Sequence, residues 1–136
     1  MTPQEIDAFL REPHTCIIAT LRPDGSPHLT PVWHHYDGEN IMVLTPPDTV
    51  KVRNLRHDPR VSLCISTNRP PAGYVQVNGV ATLSDEWPYE LLWAMSVNYK
   101  GKEEGERYAQ RVFREVSFTL VTVTPSKIIG WRVDEA

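Results

Sequence analysis

From residue 15 onwards the chain is a series of short segments rich in β-branched and aromatic residues, separated by turn signals. This pattern restricts the fold more than any other feature. Segments 15–21, 27–36 and 41–45 are joined by the turns at 22–25 and 37–40, and both turns contain Asp-Gly. Glycine accepts the positive φ that such turns require. The three segments therefore predict an antiparallel meander.

The same reading extends to the rest of the chain. It predicts further strands at 61–66, 74–83, 116–124 and 128–133. Six or seven short antiparallel strands with interposed helices are typical of a small, mainly β barrel, which removes the exposed edges of a meander. With 136 residues, the chain is expected to form a single domain over 1–136.

Helix signals precede and interrupt these strands. Thr2, Pro3 and Glu5 form a capping-box pattern at the start, and Pro13 is expected to end that helix. A short helix is predicted from a cap at Asp48 to about residue 56. Two more are predicted after residues 84–85 and over about 104–114, as indicated by the 3.6-residue spacing of apolar positions.

Composition excludes several functional classes. The net charge of −3 gives no general affinity for nucleic acid. The longest apolar runs, such as 16–19, have the length of a strand and are far too short to span a membrane. No signal-peptide pattern is present, so we expect a cytoplasmic protein. Cys16 and Cys64 each lie in an apolar run and are expected to be buried.

Basic residues concentrate after the third strand. Lys51, Arg53, Arg56 and Arg60 lie within ten positions of one another. Such a run is either a solvated helix face or an anion site. The start of the predicted helix favours an anion site, because free backbone N–H groups and a nearby cation together bind phosphate.

Three sequence motifs occur in order along most of the chain. Residues 19–28 read A-T-L-R-P-D-G-S-P-H, residues 45–63 contain T-x-K followed by N-x-x-x-D-P-R-V-S-L, and Gly79 lies in V-Q-V-N-G. Together these motifs resemble the pyridoxamine 5'-phosphate oxidase-like family. The resemblance implies an antiparallel, six- to seven-stranded split β-barrel of the FMN-binding type. It also implies a homodimer that binds its cofactor between the subunits.

The resemblance implies a set of cofactor-binding residues. The phosphate would lie at the start of the short helix and the tricyclic ring along Pro31, Val32 and Trp33, with Tyr74 and Trp131 near it. The complete set is Pro31, Val32, Trp33, Leu44, Thr45, Thr49, Val50, Lys51, Arg53, Asn54, Tyr74 and Trp131. Pro31 lacks a backbone donor, which predicts a sheet edge, a bulge or a ligand-facing opening at this point.

Two departures from the family pattern narrow the expected activity. Val50 stands where flavin-dependent phosphate-ester oxidases have arginine. The sequence also stops soon after residues 130–133, without the C-terminal Arg/His segment by which pyridoxamine phosphate oxidases hold their substrate. We therefore expect no vitamin B6 oxidase activity. The pattern K-x-R-N-L-R-x-D-P-R is similar to the branch that uses the deazaflavin coenzyme F-420.

The expected activity is hydride transfer between F-420 and a small electron-poor organic substrate. The cofactor would carry the chemistry, so no side chain is expected to be an obligatory acid or base. The alternatives are an FMN-dependent oxidoreductase of the same fold, or a non-catalytic protein that binds a flavin, a deazaflavin or a tetrapyrrole.

Histidines suggest little metal chemistry. Adjacent strand residues point to opposite faces, so His34 and His35 are not expected to share an ion. His28 and His34 point to the same face, but about 20 Å of extended strand would separate them. We expect no metal site. Either His34 or His35 could instead line the substrate cavity.

Overall fold

The computed structural model describes residues 1–133 as seven strands and four helices. The helices are α1 (Pro3–Arg11), α2 (Val50–His57), α3 (Tyr89–Lys100) and α4 (Lys102–Glu115). The strands are β1 (Thr15–Leu21), β2 (Pro27–Val32), β3 (His35–Tyr36), β4 (Ile41–Thr45), β5 (Arg60–Ser66), β6 (Gly73–Ser84) and β7 (Thr119–Arg132).

All seven strands belong to one antiparallel sheet in the order β2-β1-β5-β6-β7-β4-β3. The sheet curls into a half-barrel, which confirms the mainly β split-barrel fold. Strands β2 and β3 are its two edges, and only Trp33 and His34 connect them along the chain. Pro31 lies in edge strand β2, as its missing backbone donor predicts.

The strand predictions need two corrections. Segment 27–36 is not continuous, because the chain leaves the sheet at Trp33 and His34 and the His34 side chain is buried instead. The segments 116–124 and 128–133 are not separate strands, since β7 runs from Thr119 to Arg132. A register shift between Asn78 and Gly79 of β6 accommodates Pro125, which cannot donate to the ladder.

Alternating side chains divide the sheet into two faces. The inner face carries the core, which α1 and α2 complete; among the buried residues are Phe9, Leu10, Cys16, Ile18, Ile41, Val43, Leu55, Leu63, Ile65, Val75, Val77, Val121 and Val123. We call the opposite side the outer face. By register it carries Ile17, Leu29, Pro31, Cys64, Tyr74, Gln76, Val80, Ile129 and Trp131.

Cys64 was expected to be buried, and this is wrong. Cys16 lies on the inner face and is buried, whereas Cys64 pairs with Ile17 on the outer face and is exposed. The apolar run around Cys64 gives no indication of which face each residue occupies, because only the pairing register decides it.

The helices begin close to where their signals predict. The capping box of α1 is present, with Thr2 and Glu5 bonded to each other's backbone N–H groups. Helix α2 is capped by Thr49 and not by Asp48, so that expectation is wrong by one residue. Helix α3 begins at Tyr89, after Trp87, and α4 covers the predicted 104–114.

Helices α3 and α4 lie unusually close to each other. A Cβ atom on Gly105 of α4 would come within 2.6 Å of the Ser96 carbonyl oxygen and the Val97 Cα atom of α3. Since real Cβ atoms do not approach backbone so closely, glycine is required where the two helices meet. Within the described residues no helix is long and apolar enough to cross a membrane.

Candidate functional site

A cavity of about 520 Å³ lies between the edge of the sheet and the helices. Its volume falls in the ordinary range for small-molecule sites, roughly 300–1,000 Å³. Strands β2 and β4 and helices α2, α3 and α4 all contribute to it. The lining residues are Pro13, His14, Thr15, Pro31, Val32, Trp33, Leu44, Thr45, Pro46, Lys51, Asn68, Leu92, Met95, Tyr99, Tyr108 and Phe118.

Lys51 is the cation of this cavity. It occupies the second position of α2, is partly buried, and makes no hydrogen bond or ion pair to any residue of 1–133. Burial lowers the pKa of its ammonium group from the ordinary value. Because desolvation disfavours the charged form, an anion bound beside Lys51 would offset that cost.

The start of α2 leaves backbone donors next to Lys51. Thr49 is the N-cap residue, but its hydroxyl donates to the Pro46 carbonyl at 3.1 Å and caps no helical N–H group. The first-turn N–H groups of a helix have no partner within the helix. The turn that carries Lys51 therefore offers an anion both a cation and free donors.

Aromatic rings form another wall of the cavity. Trp33 stacks on Tyr99 with ring centroids 4.9 Å apart and planes 7° from parallel, and it also contacts Tyr108 at 5.4 Å. Leu92 and Met95 of α3 extend this wall. The cavity is thus lined largely by apolar and aromatic side chains, and α2 contributes a cation.

The Tyr99 hydroxyl is held in place by His14 and His34. It donates to the His14 carbonyl at 2.8 Å and lies 3.0 Å from His34 Nδ1. His34 Nε2 is 2.7 Å from the Leu10 carbonyl, which can only accept, so this nitrogen carries the hydrogen. Burial lowers the His34 pKa and raises the pKa of Tyr99 to about 12.

Neither histidine of the His34-His35 pair lines this cavity, and His14 does. His34 is 2 % exposed, and its ring connects α1 to α3. No group of three His, Cys, Asp or Glu side chains that could hold a metal ion occurs within residues 1–133.

Half of the predicted cofactor residues come together in the cavity. They are Pro31, Val32, Trp33, Leu44, Thr45 and Lys51. Thr49 and Val50 lie next to it in the chain but do not line it. Arg53 is exposed and donates to the Asp48 carbonyl at 2.8 Å. Asn54 is buried, and its amide donates to the Thr20 hydroxyl at 3.1 Å, so it connects α2 to β1.

Tyr74 and Trp131 lie elsewhere. They are paired neighbours on β6 and β7, with rings stacked at a centroid distance of 5.6 Å on the outer face of the sheet. Neither lines the cavity that contains Lys51.

Sequence reasoning missed several cavity residues, among them His14, Asn68, Tyr99 and Tyr108. They belong to the segment just before β1, a loop and two helices, which come together only in the folded chain. The chain carries five tyrosines, and no local pattern distinguishes Tyr99 or Tyr108 from the others.

The family model for pyridoxamine 5'-phosphate oxidase matches residues 2–132. A conserved hypothetical protein from Mycobacterium tuberculosis is 28% identical, with a TM-score of 0.80 over 97% of this chain and 85% of that one. A structure titled F420 reductase is 20% identical (TM-score 0.71; 90% and 94% covered). The heme storage protein of Vibrio cholerae is 18% identical (TM-score 0.71; 93% and 92% covered). The last two likenesses concern the fold alone. The match of the family model over residues 2–132 establishes that this protein belongs to the pyridoxamine 5'-phosphate oxidase family.

Proposed function

We propose that this protein is an oxidoreductase that binds coenzyme F-420 and uses it to transfer hydride to a small, electron-poor organic substrate. The observation that carries the proposal is the environment of Lys51. This cation lies in the first turn of α2, is partly buried, and has no partner in residues 1–133. It lines a cavity whose other walls are largely apolar and aromatic. A cofactor with a tricyclic ring and a phosphate matches both parts of this cavity.

The residues present fit such a ring. Edge strand β2 has backbone groups that no neighbouring strand pairs on its free side, and Pro31, Val32 and Trp33 bring this edge to the cavity. Leu44 and Val32 supply apolar contacts. The ring's polar edge would bind backbone atoms, and its faces would contact aliphatic and aromatic side chains.

Each part of the site has a physical role. Lys51 and the N–H groups of the first α2 turn would hold the phosphate, and Thr45, which is buried beside them, would fix its position. Trp33, Tyr99 and Tyr108 would exclude water and position the substrate. When bound, the deazaflavin supplies the hydride, and no side chain need act as acid or base.

The composition of the phosphate end favours F-420 over FMN. Val50 brings no charge, and Arg53 is turned back to the Asp48 carbonyl, so Lys51 is the cation that lines the cavity within the described residues. A phosphodiester carries one negative charge and a phosphomonoester nearly two, so a single lysine suits the phosphodiester of F-420 better.

We further propose that the protein is a homodimer, joined through the outer face of the sheet. Leu29 is 59% and Ile129 43% exposed on this face. In such a dimer, Tyr74 and Trp131 of one subunit would close the cavity of the other. This would reconcile their expected role in cofactor binding with their position outside the cavity.

Titration of the purified protein with F-420 and with FMN, followed by absorbance and fluorescence, tests the proposal. We expect micromolar or tighter binding of F-420 and at least tenfold weaker binding of FMN. Reduced F-420 should then be reoxidised when an electron-poor acceptor is added. Tight binding without turnover by any acceptor would favour the storage or carrier alternative, and tighter binding of FMN would favour a flavin enzyme. Weak and equal binding of both would contradict the site.

A further inference from the structure

A second cavity, of about 390 Å³, adjoins the one described above. The two share His14 and Asn68 in their linings. The second cavity has an apolar side formed by Phe9, on which the His14 ring stacks at 4.1 Å, and by the prolines of the loop between β5 and β6. A molecule in it would therefore reach the cofactor cavity past His14 and Asn68.

Residues 67–73, the loop between β5 and β6, form one wall of the second cavity, and hydrogen bonds join the two ends of this loop. The Thr67 N–H donates to the Gly73 carbonyl at 3.1 Å, and the Gly73 N–H donates to the Thr67 hydroxyl at 3.1 Å. These bonds fix the two ends of the loop relative to each other. Asn68 and Arg69 follow directly and line the cavity.

Both residues present unused donors. The Asn68 side-chain oxygen accepts from the Thr15 hydroxyl at 2.8 Å, which leaves its NH₂ group without a partner in the described chain. The Arg69 guanidinium makes no hydrogen bond or ion pair with any residue of 1–133. A guanidinium and an adjacent amide form a good donor set for a carboxylate.

Two other charged side chains, Arg132 and Glu12, line this cavity. Arg132 forms an ion pair with Glu5. Glu12 lies 3.7 Å from His14 Nε2, and its carboxylate opposes any bound anion. Arg69 is thus the cation available to a ligand, and Glu12 is a repulsive group whose removal has a defined effect.

We propose that the second cavity is a substrate site for small carboxylates with an apolar or aromatic body, with Arg69 and Asn68 binding the carboxylate. As a substrate site it rests on the proposed function, because the remainder of the molecule would face the cofactor cavity. Phe9 and the prolines contact the apolar body, and the carboxylate lies at the mouth of the cavity, on the loop.

The test compares two probes of similar size, 4-nitrobenzoate and the neutral 4-nitrobenzyl alcohol. Their dissociation constants are measured by ligand-observed NMR, with cofactor-free protein and with protein saturated with F-420. We expect the carboxylate to bind more tightly than the alcohol. Arg69→Ala should weaken the carboxylate about five- to tenfold and leave the alcohol unchanged. Glu12→Gln should strengthen the carboxylate selectively.

Arg114→Ala is the matched control, since Arg114 is also exposed but lies on α4, outside both cavities. It should affect neither probe. Equal affinity for both probes, or equal weakening of both by Arg69→Ala, would overturn the carboxylate site. Selective carboxylate binding by a protein that binds neither F-420 nor FMN would overturn the proposed function and still support the site.

Discussion

Lys51 is the side chain on which the proposed cofactor site depends most. It lines the cavity from the first turn of α2, and it is partly buried without a partner in the described chain. Burying a charge in this way costs free energy unless a ligand compensates for it. Its place in the structure is therefore better explained by anion binding than by stability.

Replacing Lys51 by alanine should weaken F-420 binding by roughly ten- to a hundredfold, the contribution of one charge-assisted hydrogen bond of about 1.5–3 kcal/mol. The melting temperature of the cofactor-free protein should stay nearly unchanged, because Lys51 makes no bond within the described chain. Fluorescence titration and thermal unfolding measure the two quantities.

Arg60→Ala is the control from the same basic run. The Arg60 guanidinium is exposed and bonded to the Asp58 carboxylate at 2.7 Å, outside the Lys51 cavity. This substitution should change cofactor binding little. Normal binding by Lys51→Ala together with weak binding by Arg60→Ala would place the phosphate at the other end of the run.

His34 predicts a pH dependence of stability. Its pKa is lowered below 6.5 in the folded protein, mainly by burial, so the unfolded chain binds a proton more readily. Its contribution to the free energy of unfolding is therefore complete above about pH 6.5 and is lost as the pH falls through the lowered pKa. The free energy of unfolding, measured by chemical denaturation between pH 5 and 8, should vary less with pH in His34→Gln than in the wild type. Equal dependence in both would exclude His34 as the source.

At the scale of elements, α3 and α4 act together as one wall of the cavity. Leu92, Met95 and Tyr99 come from α3 and Tyr108 from α4. Their positions depend on how closely the helices pack, and Gly105 permits that approach. A change at the helix contact should therefore reach the site, although Gly105 does not line it.

Gly105→Ala should lower the free energy of unfolding by about 1–3 kcal/mol, the usual cost of overpacking a tight contact. It should also weaken cofactor binding, since the wall containing Tyr99 and Tyr108 moves. Gln110→Ala, at an exposed position of α4, should change neither. Denaturant titration and cofactor titration provide the measurements. An unchanged free energy of unfolding in Gly105→Ala would contradict this prediction, because it would mean that α3 and α4 can move apart without loss of stability.

At the scale of the whole molecule, the curled sheet has two different surfaces. The inner face carries the core, and the outer face exposes apolar side chains, including Leu29, Val80 and Ile129. Exposed apolar patches of this kind mark interfaces. A second copy of the chain is the occupant we propose, with Tyr74 and Trp131 placed to reach across.

Ile129→Glu should convert the proposed dimer into a monomer, because a carboxylate would be buried in an apolar interface without a partner. Light scattering at micromolar protein concentration measures the mass. F-420 binding should weaken as well, since Trp131 of the partner subunit would no longer close the cavity. Val116→Glu, an exposed apolar position at the end of α4, should stay dimeric. A wild-type monomer with cofactor bound would refute the dimer.

Local signals in the sequence determined much of this fold. Alternating β-rich segments and Asp-Gly turns placed β1, β4, β5 and β6 within a residue or two of their observed bounds, and Thr2 and Glu5 marked the start of α1. These features depend on neighbours in the chain, so a sequence reading can detect them. The family motifs likewise identified the part of the cavity formed by β2, β4 and the start of α2.

Only the tertiary structure decided which residues meet across the fold. His34 leaves the sheet because its ring bonds to Leu10 of α1 and Tyr99 of α3, partners 24 and 65 positions away. Cys64 is exposed because the register with β1 puts it on the outer face. His14, Asn68 and Tyr108 line the site through long-range packing. Such contacts are set by the packing of whole elements and leave no signature in local sequence.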